Sequence, residues 1–258
     1  MRPRHAILIA VALLFAVAHW VPGGRLLLYP LTLFVTWIHE MGHGLAALAV
    51  GGSFTQLQIL SDGSGLAHAF AAPGWPTAAV SAGGLLGPAV FAAVVLGAVH
   101  GPKRARAFLL TLSLFMLLST VIWIRSATGV IVVPALAVLL GWVGWRGFRE
   151  APERRVIVAQ VLAVVAAIDT LTRMVSYVFM KQVTVDGQVR LSDIGRFAES
   201  VGGWYVLWGV GFTVVACGLL GVGGWLAWRV PEASAVKVRK GSDAVPALGK
   251  RPTTRPHP

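Results

Sequence analysis

Long apolar runs, separated by short polar loops, constrain this chain more than any other feature of its sequence. Several of them reach about 18 residues or more, the length an α-helix needs to cross a bilayer. The composition agrees: 56% of residues are hydrophobic and 12% are charged, with a mean hydropathy of +0.75. A soluble domain carries about 25% charged residues, because its water-facing surface requires them. The pattern predicts an all-α polytopic membrane protein with about seven transmembrane helices. They are expected near Ala6 to Val21, Leu26 to Val50, Thr77 to Val99, Ala107 to Ile124, Gly129 to Trp145, Val156 to Met180 and Trp204 to Trp228. The first follows a basic start, Arg2-Pro3-Arg4, but lacks a small-residue cleavage signature, so it reads as an uncleaved helix rather than a signal peptide.

The loops carry the remaining organisation. Residues 51–76 hold turn signals at Gly51-Gly52, Asp62-Gly63 and Ser64-Gly65, and the segments between them alternate like strands. A β-hairpin-like insertion is therefore expected after the second helix. Residues 1–228 read as a single transmembrane domain, and 229–258 as a basic, Pro-rich, disordered tail. The net charge of +12 sits in loops and tail, where membrane topology puts basic residues, so a nucleic-acid partner is not expected. Most Lys and Arg fall on the tail's side of the bilayer, which predicts a cytoplasmic C-terminus and an external N-terminus. Cys217 is the single cysteine and forms no intrachain disulfide. The expected setting is a bacterial cell membrane.

The second apolar run contains His39-Glu40-Met41-Gly42-His43. Histidines four apart project from one face of a helix, one turn apart, and can bind a single Zn²⁺. Glu40 beside them suits the general base that activates water. Burying these three groups in an apolar helix costs several kcal/mol unless they are paired or ligated. The alternative is a pair of packing histidines with Glu40 as a buried partner. Gly42 and Gly44 argue against packing alone, since glycine weakens a helix unless something must come close.

A catalytic zinc takes a third protein ligand and keeps one position open. Apart from Glu40, Asp169 is the one acidic residue expected at membrane depth, which makes it the leading third ligand. An ion pair with Arg173, four residues on, is the competing reading, and both can hold if Arg173 orients the carboxylate. Asp193 is the alternative ligand if the connection after the sixth span folds back, and His68 is a third candidate.

These features together resemble the site-2 protease family of intramembrane zinc metalloproteases, in particular a compact branch found in bacteria, plants and fungi. The resemblance rests on HEMGHGLAALAVGG, the hairpin ending SDGSGLAHAF, the Gly-rich GGLLGPAVF, a later intramembrane Asp, and SDIGRFAES before Trp204 and Trp208. It runs from about Ile38 to Trp228. It implies that His39 and His43 bind zinc, that Glu40 is the catalytic base, and that an Asp on a later helix completes the ligand set. The family's usual N-x-x-P-x-x-x-x-D-G motif has no counterpart around Asp169, where the chain reads AAIDTLTRM. The implied activity is hydrolysis of a single-pass membrane protein, the hairpin holding an extended substrate by strand addition. A non-catalytic membrane chaperone or regulator is the alternative from another class. An ion or metal transporter is a third, disfavoured by the absence of inverted repeats.

Overall fold

A computed structural model of the protein describes residues 9–11, 13–14, 17–18, 21, 24–185 and 187–229. The expected first span lies largely outside the described residues, as does the expected tail beyond Arg229. The described elements run α1 (Gly24–Ala49), β1 (Ser53–Ile59), β2 (Gly65–Phe70), α2 (Trp75–Ala98), α3 (Pro102–Ile122), α4 (Ala127–Trp145), α5 (Glu153–Tyr177), β3 (Gln182–Val185), β4 (Gln188–Leu191), α6 (Asp193–Val201) and α7 (Tyr205–Arg229).

Five helices among the described residues, α2, α3, α4, α5 and α7, are long and apolar enough to cross a membrane. The protein is thus mostly helical and multi-pass; of the seven expected spans, five are found among the described residues, and the first lies largely outside them. Helix α1 has 26 residues, about 39 Å at 1.5 Å per residue, yet is not one of the five. The physical reason is its content: His39, Glu40 and His43 interrupt the apolar run.

One side of α1 is packed in the bundle. Leu33, Phe34, Val35, Trp37 and Met41 are buried on it. Phe34 meets Phe91 of α2 edge-on at 5.8 Å, and Trp37 meets Phe115 of α3 at 5.6 Å. The Trp37 indole N–H donates to Ser119 Oγ at 3.0 Å, so this buried polar group is satisfied. At Gly42 and Gly83 the α1 and α2 backbones touch, and a Cβ on either would strike the other helix. That contact brings α2 against the motif.

The two hairpins differ in how they are held. β1 and β2 pair antiparallel, from Ser53↔Phe70 to Ile59↔Gly65, with an irregularity between Phe54 and Gln56. In their turn, Asp62 Oδ1 accepts from the Ser64 hydroxyl at 2.6 Å and the Ser64 N–H at 2.8 Å, which holds the Asp62 carboxyl below its ordinary pKa. The turn is tied to α1 by Tyr29 Oη donating to Ser61 O at 2.8 Å and Thr36 Oγ1 donating to Gly63 O at 2.7 Å. The outer edge of β1 is sewn to the α3–α4 connection: Leu57 N–H donates to Trp123 O at 2.8 Å, and Arg125 N–H to Leu57 O at 3.0 Å. The outer edge of β2 forms no such backbone bond among the described residues.

The connection after α5 is structured and does fold back. Its hairpin β3–β4 leads into α6, a nine-residue amphipathic helix that buries Ile194, Gly195, Phe197 and Ala198. Ser192 caps it, its hydroxyl oxygen accepting from Gly195 N–H at 3.0 Å while its hydroxyl donates to Met180 O at 2.7 Å. Phe197 packs edge-on with Phe212 and Trp208 of α7 and with Trp75 of α2. These contacts turn the N-terminus of α6 back toward α1.

Candidate metal centre

Because α6 folds back, Asp193 arrives at the two histidines. Its Oδ2 lies 3.1 Å from His39 Nε2, its Oδ1 lies 3.4 Å from His43 Nε2, and the two Nε2 atoms are 3.2 Å apart. His39, His43 and Asp193 form the one group among the described residues that could hold a metal ion. The spacing suits zinc: bonds of about 2.0–2.2 Å to N and O place neighbouring ligands of a tetrahedron roughly 3.3 Å apart. The donor types, two imidazoles and a carboxylate, suit it too.

The surroundings fix how His43 presents its ring. Its Nδ1 lies 2.8 Å from the carbonyl oxygen of Val80, which can only accept, so Nδ1 carries the proton. In the neutral ring Nε2 then keeps its lone pair, turned toward His39 and Asp193. An outer hydrogen bond of this kind sets the tautomer of metal-binding histidines generally. Gly84 lies directly against the His43 ring, and a side chain there would displace it.

Glu40 is buried at 6% exposure on the same helix. Its Cγ and Oε1 pack against Gly65, where a Cβ would collide with both, so β2 crosses Glu40 only because residue 65 is glycine. The cluster and Glu40 share a cavity of about 230 Å³ with Gly65, Leu66 and Ala67 of β2, Ser81 of α2 and Asp169 of α5.

Asp169, expected as the leading third ligand, is not in the cluster. It lines the same cavity, but its Oδ2 accepts from Arg173 Nε at 2.6 Å, the ion pair that competed with the ligand reading. Arg173 Nη2 in turn reaches Thr36 Oγ1 of α1 at 3.5 Å. Depth along α5 brings Asp169 to the cavity, while the direction of α6 brings Asp193 to the nitrogens. His68 lies on β2 and is not in the cluster either. Sequence reasoning missed Val80 and Gly84, the outer support of His43.

The fold and the site define a multi-pass membrane protein whose helices enclose a candidate metal centre with a neighbouring buried glutamate. A family model described as Peptidase M50B-like matches residues 6–223, and the chain belongs to that family, one of site-2 proteases. No curated protein and no solved structure matches the chain.

Proposed function

We propose that the protein is an intramembrane zinc metallopeptidase of a bacterial cell membrane that hydrolyses peptide bonds of single-pass membrane proteins. The observation that carries this reading is the coincidence, in one cavity, of the His39–His43–Asp193 cluster, the buried Glu40 and β2. His39, His43 and Asp193 would hold Zn²⁺, with Asp193 taking the place first given to Asp169. Zinc bound there supplies Lewis acidity, polarising a carbonyl and acidifying water.

The protein's own groups do the rest. Glu40 accepts the proton of the attacking water at its carboxylate and delivers it to the departing amine nitrogen. The open edge of β2 pairs with the substrate backbone, which must leave its helical form because helical carbonyls are engaged and shielded. Arg173 engages the Asp169 carboxylate and reaches Thr36, which leaves Asp193 as the carboxylate that would complete the ligand set.

The test is metal stoichiometry combined with cleavage. Protein purified in detergent should hold one zinc per chain. Glu40→Gln should retain that zinc and lose cleavage of a co-expressed membrane substrate. A wild type without zinc under replete conditions, or undiminished cleavage by Glu40→Gln, would refute the proposal.

A further inference from the structure

Three arginines line the cavity that holds Glu40 and the His39–His43–Asp193 cluster: Arg173 from α5, Arg190 from β4 and Arg196 from α6. Their partners differ. Arg173 is matched by Asp169. Arg190 donates to Gln188 Oε1 at 2.7 Å, a neutral group, and Arg196 is exposed; neither forms an ion pair among the described residues. Of the carboxylates in the cavity, Asp169 is engaged by Arg173, Asp193 faces the histidines, and Glu40 is buried against Gly65 of β2. The residues that β2 and its turn contribute, Ser64 to Ala67 and Ala69, carry no charge. The cavity is therefore neutral along the strand that would read a backbone, while the wall formed by β4 and α6 presents the guanidinium groups of Arg190 and Arg196 beside an Asp193 that faces the histidines.

We infer that Arg190 and Arg196 select substrates carrying acidic side chains next to the bond to be cut. The inference rests on the peptidase reading and adds the substrate's chemistry to it. Guanidinium groups bind carboxylates through paired, charge-assisted hydrogen bonds. Because both side chains line the catalytic cavity itself, a peptide fits the observations better than an anionic lipid headgroup.

The experiment measures binding without cleavage. Full-length Glu40→Gln protein, loaded with zinc, is placed in nanodiscs of zwitterionic lipid. It is titrated with a labelled peptide having an apolar helix followed by Glu-Glu, and with a Gln-Gln twin. The Glu-Glu peptide should bind about tenfold tighter or more, the size of one charge-assisted contact. Arg190→Gln and Arg196→Gln should each shrink that difference, and the double variant should remove it while retaining zinc. Lysine at both positions should restore part of it. Equal binding of the two peptides, or a preference that survives in the double variant, overturns the inference. So does equal binding accompanied by lost retention of the double variant on phosphatidylglycerol vesicles, which would assign the arginines to lipid. A missing Glu40-dependent cleavage would strike the parent reading and leave this binding result to stand on its own.

Discussion

Asp169 and Asp193 line one cavity, yet their surroundings make them different chemical objects. Asp169 is in the middle of a long transmembrane helix and spends its carboxylate on Arg173, one turn away on the same helix. Asp193 opens a nine-residue helix outside the membrane-spanning set and spends its carboxylate on two imidazoles from α1. The local pair is satisfied by residues four apart and needs no tertiary structure. The long-range set exists only when α6 is docked. A buried acid is thus not identified by its depth; what matters is which donors the fold aims at it.

The comparison can be broken most sharply with zinc. Asp193→Ala should weaken zinc binding by more than about 100-fold, beyond the loss typical of an outer-shell partner, while Asp169→Ala keeps one zinc per chain. Metal analysis of both purified variants decides it, and the reverse outcome would exchange the two roles. Gly84→Val should come next, weakening zinc by about 10–100-fold by pushing the His43 ring off the Val80 carbonyl.

Asp169→Ala should instead register in stability. It leaves a partly buried guanidinium without its carboxylate, at a cost of about 1–3 kcal/mol, visible as a lower Tm in detergent. The smallest effect belongs to the β1–β2 turn. Because hydrogen bonds from Ser64 lower the Asp62 pKa in the folded protein, their stabilisation is present above the unfolded carboxyl value and is lost as pH falls through the folded one. Asp62→Asn should slightly lower Tm at neutral pH, and this gap should close in acid.

Much of this was legible in the residues. The HEMGH spacing placed His39 and His43 on one helix face with Glu40 beside them, and the turn pairs after Gly51 marked the hairpin now seen at β1 and β2. The close approach of α1 and α2 was foreshadowed by Gly42 and by the small residues around Gly83. The span count compares with five candidate helices among the described residues, because the first expected span lies largely outside them and the polar motif keeps α1 from qualifying by apolar content. The ranking of the two aspartates differs from the geometry of the cluster, which holds Asp193, for a reason that hydropathy does not register. Average hydropathy cannot see a short amphipathic helix that folds back, although Ser192 as a cap and apolar residues at 194, 197, 198 and 201 form that pattern. Arg190 and Arg196 carried no signal as cavity residues, since a loop arginine in a basic membrane protein is otherwise a solvated one.

The hairpin's fastenings have a kinetic consequence. Tyr29 and Thr36 pin its turn, and Trp123 and Arg125 pin its outer strand, so β2 is an already ordered template. For the proposed reaction, the entropy of straightening then falls on the incoming chain alone. Turnover would be governed by how readily a segment gives up its helix, so a glycine or proline near the cut would speed hydrolysis and a run of leucines would slow it.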